Sequence, residues 1–183
     1  MNFQIDESKA VSLAKSVELV LLDVDGVLTD GKLYFSGAGE ELKVFNTLDG
    51  HGIKLLLNNN IKVGIISGRD SAALDARAQQ LGIEILFKGR ENKLPVFFEI
   101  MASLENVTNE QVVYIGDDLP DIPVIKQAGL GIAVPNAHRE VLRNADIITK
   151  ATGGNGAVRE VCDFLLESKG IYQQLINSLT GEI

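Results

Sequence analysis

Apolar residues in this chain fall into two patterns that alternate from one end to the other: short unbroken runs, and longer stretches where they recur every third or fourth position. The runs at residues 17–22, 61–67, 83–87, 111–115, 130–134 and 146–149 are rich in Val, Ile and Leu and too short for globular helices. Each predicts a strand, and the first reads as buried on both faces. Between them, residues 6–16, 53–57, 71–81, 94–104 and a stretch through Val141 and Leu142 predict helices. Asn58, Asn59 and Asn60 end the second helix and Gly82 caps the third. Residues 46–52 and 88–93 read as polar loops. Such alternation predicts one α/β domain over residues 1–183, a three-layer Rossmann-like parallel sheet with helices on both faces.

One segment breaks the rhythm. Residues 32–35 and 41–45 are short strand-like runs joined by Ser36, Gly37, Ala38 and Gly39, which predicts a β-hairpin protruding after the first strand, within residues 31–46. An isolated hairpin is marginal in water, so this one is expected to pack on its own domain or on a sister subunit. Residues 150–183 hold a glycine-rich segment followed by a helical tail.

Composition narrows the class. Of 183 residues, 45% are hydrophobic and 23% charged, which is globular rather than disordered. The net charge of -8 argues against a nucleic-acid partner. Cys162, the single cysteine, lies among Val161, Phe164 and Leu165 and reads as a small buried hydrophobe, which suits a cytoplasmic protein without disulfides. No run approaches a membrane span. His51 and His138 have no neighbouring ligand type and are not expected to hold metal.

The candidate chemistry lies at the strand tips, where ligands bind in a parallel sheet. Asp23 and Asp25 end the first strand, two residues apart and therefore on one side of it, with Gly26 allowing a sharp turn. Two carboxylates held that close repel unless a hard cation such as magnesium compensates. Ser67 ends the second strand, Lys93 lies beyond the third, and Asp117 ends the fourth, with Asp118 and Asp121 close behind. Over a phosphate monoester this set divides into roles. Asp23 is the candidate nucleophile, forming an aspartyl-phosphate. Asp25 is the candidate general acid and base. Ser67 and Lys93 would bind phosphoryl oxygens, and Mg2+ would be held by Asp23, the backbone carbonyl of Asp25 and Asp117.

The motifs DVDGVLTD, ISGR, the lysine of GRENK, and GDDLPD resemble the four motifs of the haloacid dehalogenase superfamily of phosphotransferases. DGVLTDG with its hairpin, FNTLDGHGIK, SGRDS, GDDLPDIPVI and GGNGAVREVCDFLL resemble more closely the 3-deoxy-D-manno-octulosonate 8-phosphate phosphatases within it. That resemblance implies a capless, magnesium-dependent, homotetrameric enzyme of lipopolysaccharide biosynthesis, its hairpins assembling the tetramer and a glycine-rich tail reaching a neighbouring subunit's active site. Gly153, Gly154, Asn155, Gly156 and Ala157 match that tail segment. It further implies that Asp25, Asn46, Thr47, Leu48, Asp49 and Gly50 bind the sugar acid and phosphate, together with Lys54, Arg69, Arg77 and Lys93. Leu48 and Lys54 depart from relatives that carry arginine there, and neither side chain can make arginine's bidentate contact. The short spacing from Asp25 to Ser67, and from there to Lys93, leaves no room for a cap domain. Competing readings are the same chemistry on a nonulosonate phosphate, a phospho-accepting receiver, and a non-catalytic oligomerisation module. A receiver would carry its acceptor aspartate on a middle strand, and the intact motifs weigh against the module.

Overall fold

The computed structural model describes residues 1–37 and 41–181. In chain order they form β1 (Asn2–Phe3), α1 (Glu7–Ser16), β2 (Leu19–Leu22), β3 (Tyr34–Phe35), β4 (Glu41–Leu42), α2 (Thr47–Asn58), β5 (Lys62–Ile66), α3 (Ala72–Leu81) and β6 (Ile85–Phe87). Then follow α4 (Lys93–Ser103), β7 (Val112–Gly116), α5 (Ile122–Ile125), β8 (Leu130–Ala133), α6 (Arg139–Asn144), β9 (Ile147–Ile148), α7 (Ala157–Ser168) and α8 (Tyr172–Thr180).

Seven strands make the main sheet in the order β1-β9-β8-β7-β2-β5-β6. β2 is central, parallel to β5 on one side and to β7 on the other. Its burial explains its composition. Val20 and Leu22 pack into one hydrophobic cluster with α1, α2, α3 and α7, while Leu19 and Leu21 pack into another with α4, α5 and α6. A strand covered on both faces has no polar side, which is why an unbroken aliphatic run forms it. The expected three-layer fold without a cap domain is therefore present. It gains an antiparallel edge strand, β1, whose two residues carry no periodic signal.

Residues 46–52 depart from expectation, being the start of α2 and not a loop. Asn46 is the N-cap, its side chain accepting the Leu48 N–H at 2.7 Å. Gly50 and Gly52 are buried within the helix. A Cβ on Gly50 would sit 2.1 Å from Arg77 Nη2, and one on Gly52 would sit 3.0 Å from the Cys162 side chain. These glycines permit close helix contacts and do not mark a break. Among the described residues the hairpin pairs at Tyr34 with Leu42 and Phe35 with Glu41, shorter than its apolar runs predict. Ala38 and Gly39 of its expected turn lie outside the described residues.

The glycine-rich segment after residue 150 is tied to its own chain at two points. Gly154 N–H donates to Val27 O at 2.9 Å, and Gly153 N–H to Asn136 Oδ1 at 3.0 Å, so the glycines lie against this chain's own first-strand loop. α7 then enters the core with Val158, Val161, Cys162 and Leu165 buried.

Candidate active site

The carboxyl ends of β2, β5 and β7 and the start of α4 meet at a cleft of about 430 Å³, lined by Asp23, Asp25, Arg69, Lys93, Asp117 and Asp121 among others. Each side chain reaches it for a local reason. Asp23 follows the last residue of β2, its N–H donating to Ile115 O at 3.0 Å, which fixes it beside the tip of β7. Lys93 opens α4 and is only 4% exposed. Its ammonium lies 2.6 Å from Asp23 Oδ1 and 2.6 Å from Asp121 Oδ1. Asp121 is fully buried. It accepts the Tyr114 hydroxyl at 2.6 Å through Oδ1 and the backbone N–H groups of Asp117 and Asp118, both at 3.0 Å, through Oδ2.

Charge is out of balance in this pocket. Burial first, then Asp121, push the Asp23 carboxyl up to about 6, with Lys93 pulling the other way. Burial, then Asp23 and Asp121, push Asp117 up to about 8. Burial works against the Lys93 ammonium, yet Asp23 and Asp121 more than offset it and hold its pKa above the ordinary value. One oxygen of Asp117, Oδ1, is buried without a hydrogen-bond partner. Asp23, Asp117 and Asp121 can each turn one carboxylate oxygen to within 4.8 Å of the others. With all three ionised, their charges against one lysine leave a deficit of two, which a divalent cation fills. Gly26 makes room for this: its φ is +93°, and a Cβ there would sit 1.9 Å from Asp117 Oδ2. Asp121 has already spent its oxygens on four donors, so Asp23 and Asp117 are the acids left to hold a metal.

Known proteins share this architecture. The pattern of haloacid dehalogenase-like hydrolases matches residues 97–161. Over 160 residues, 87% of this chain and 85% of the relative, the sequence is 46% identical to 3-deoxy-D-manno-octulosonate 8-phosphate phosphatase KdsC of Escherichia coli strain K12. It is 47% identical over 171 residues, 93% of this chain and 89% of the relative, to the protein of that name from Yersinia pestis. The chain belongs to the 3-deoxy-D-manno-octulosonate 8-phosphate phosphatase family. The phosphatase of that name from Moraxella catarrhalis, solved with magnesium ion, phosphate ion and a KDO molecule, superposes with a TM-score of 0.92 at 38% identity, covering 95% of this chain and 99% of that one.

Of the positions matched to this phosphatase family by motif, Asp23, Asp25, Arg69, Lys93 and Asp117 share the cleft. Arg69 Nε stands 4.0 Å from Asp25 Oδ2. Ser67 sits at the tip of β5 but is 1% exposed, its Oγ accepting the Arg69 N–H at 3.2 Å, and it does not line the cleft. A second group lies apart. Thr47, Gly50, Lys54 and Arg77, with His51, line a separate hollow of about 210 Å³ that shares no residue with the first. Arg77 donates to Asn46 O at 3.0 Å and lies 5.7 Å over the Phe45 ring. Asn46 Nδ2 donates to Gly154 O at 3.3 Å. Asp49, 1% exposed, accepts the Arg159 N–H at 2.8 Å, capping α7 from the neighbouring helix. Leu48 points outward, 57% exposed.

Two contributors escaped the motif reading. Tyr114 lay hidden in an apolar run, where nothing distinguishes it from a core aromatic. Lys43, whose ammonium lies 2.5 Å from Asp25 Oδ1, follows the hairpin strand β4 and stands just ahead of the FNTLDGHGIK motif without being part of it.

Proposed function

We propose that this chain hydrolyses 3-deoxy-D-manno-octulosonate 8-phosphate to 3-deoxy-D-manno-octulosonate and phosphate, with Mg2+ as cofactor, in a cytoplasmic step of lipopolysaccharide biosynthesis. The observation that carries the reading is the buried acid set at the tips of β2 and β7, bridged by Lys93 and short of two positive charges. Its membership of the phosphatase family, with magnesium, phosphate and KDO in the Moraxella catarrhalis protein, supplies the substrate.

In the proposed reaction, an Asp23 oxygen attacks phosphorus, and the bond to the ester oxygen breaks as that oxygen takes a proton from Asp25. Asp25 then takes a proton from water, whose oxygen attacks the aspartyl-phosphate, releasing phosphate and restoring Asp23. Lys93 places positive charge where the equatorial phosphoryl oxygens gather negative charge. Ser67, at the β5 tip, offers the hydroxyl proton that its contact with Arg69 leaves unused. Asp23, the Asp25 carbonyl and Asp117 would hold the metal, which screens the repulsion between an anionic nucleophile and an anionic ester. Arg69 supports recognition of the sugar carboxylate.

The remaining matched residues call for a partner. We infer a homotetramer in which the hairpins form the contacts and the Lys54 and Arg77 hollow of one subunit faces the cleft of the next. Exposure of Phe35 (62%), Leu42 (66%) and Val44 (65%) on the arm supports this.

Steady-state kinetics against a panel of phosphorylated sugar acids, with and without Mg2+, test the proposal. The eight-carbon substrate is expected to exceed nonulosonate phosphates by at least about tenfold in kcat/KM, roughly 1.4 kcal/mol of transition-state preference. Chelation of Mg2+ and Asp23→Asn should each abolish turnover. A nonulosonate phosphate turned over equally well would overturn the substrate, and full activity of Asp23→Asn would overturn the mechanism.

A further inference from the structure

Burial alternates residue by residue after β4. Leu42 and Val44 are mostly exposed, whereas the side chain of Lys43 is 1% exposed and that of Phe45 lies partly buried on the inner side. The period of two turns Lys43 away from the apolar outer face of the arm and back over the cleft. There its ammonium meets Asp25 Oδ1 at 2.5 Å, while the other Asp25 oxygen stands 4.0 Å from Arg69 Nε. A lysine gives up hydration to bury its charge, and only a well-placed acceptor compensates for that loss. Here the acceptor is the carboxylate two residues beyond the candidate nucleophile.

We infer that Lys43 is a positioning residue for the phosphatase reaction, holding the acid and base carboxylate from the hairpin. An ammonium has three donors and no acceptor. Donating to Oδ1, it occupies that oxygen and leaves Oδ2, the one nearer Arg69, as the oxygen that exchanges the proton. It fixes which Asp25 oxygen delivers the proton to the breaking ester bond and later receives one from water, and so makes the hairpin part of the site as well as an arm. The inference rests on the proposed role of Asp25.

Two leaving groups test it in the intact protein with Mg2+. Nitrophenolate departs without a proton, whereas the sugar alkoxide needs one from Asp25. For Lys43→Met, the first-turnover release of nitrophenolate from p-nitrophenyl phosphate should stay within about threefold of the parent. Its steady-state rate should fall at least about tenfold, because water activation still needs Asp25. With the sugar-acid phosphate, even the first turnover should fall at least about tenfold while KM moves less than about threefold. Lys43→Arg should restore most of kcat, and the loss should vanish in an Asp25→Asn background. Lys43→Gln, which keeps the length and a donor, is read against the same pair of substrates if Lys43→Met fails to fold. Equal loss of first turnover with both leaving groups, or no loss with either, overturns the assignment. The wider reading fails separately, through Asp23→Asn retaining the parent rate.

Discussion

At the scale of single residues, the site is defined by a mismatch between the charges it buries and those it can pair. The Asp23 and Asp117 carboxyls, lifted to about 6 and about 8, keep protons in the folded state that the unfolded chain has shed above its ordinary carboxylate range. Folded protein therefore binds more protons than unfolded protein between about pH 4 and pH 8, and metal-free stability must fall as pH rises through that window. A bound divalent cation would remove the cause by standing in for those protons. The melting temperature in chelator should drop from pH 5 to pH 8.5, and the gain on adding Mg2+ should grow over the same range. A chelated protein whose melting temperature is flat across that interval would show that these acids do not share a confined pocket. Much of this was legible in the sequence, because Asp-x-Asp after a doubly buried strand and GDD after another must converge in a parallel sheet. The role of Asp121 was not. Four residues beyond Asp117, its place depends on the turn after β7, which folds the carboxylate back to collect four donors.

At the scale of elements, the strands were the easiest to read because burial on both faces leaves a single unbroken pattern. Helix α2 was misread at its start for a physical reason: Gly50 and Gly52 carry the signature of a loop, yet their role is close approach to Arg77 and to α7. That contact brings Asp49 to the first turn of α7, where its carboxylate takes the Arg159 N–H. Asp49→Ala is expected to cost about 1–2 kcal/mol in chemical denaturation by leaving that turn uncapped. Asp49→Asn, which retains an acceptor, should cost less; an equal cost would show that charge, not the cap, is what matters. The tail divides similarly. α7 contributes Val158, Val161, Leu165 and Leu166 to the core, whereas the described side chains of α8 that pack against it, Tyr172 and Leu175 among them, are partly buried. Deleting residues 170–183 should leave a cooperative melt by circular dichroism, and deleting residues 150–183 should abolish it. A cooperative melt in the longer deletion would contradict the placement of α7.

At the scale of the whole molecule, the chain presents an open cleft, a separate cationic hollow and an apolar arm that its own domain leaves uncovered. No helix among the described residues is long and apolar enough to cross a membrane. A second copy of the chain answers all three features if the arms pack together and bring one subunit's hollow over another's cleft. Phe35→Lys with Leu42→Lys places charge on the outer face of the arm while leaving Lys43 on its inner face. Light scattering should then report a species of 19.8 kDa chains smaller than the parent assembly. Its kcat/KM for the sugar-acid phosphate should fall at least about tenfold, while turnover of p-nitrophenyl phosphate, which needs no contact from a neighbour, should stay within about threefold. A dissociated variant with undiminished activity toward the sugar acid would mean that each cleft recognises its substrate alone, and the Arg77 hollow would lose its part in recognition. Dissociation that abolished turnover of both substrates would instead tie the arm to the chemistry, through Lys43 and Asp25.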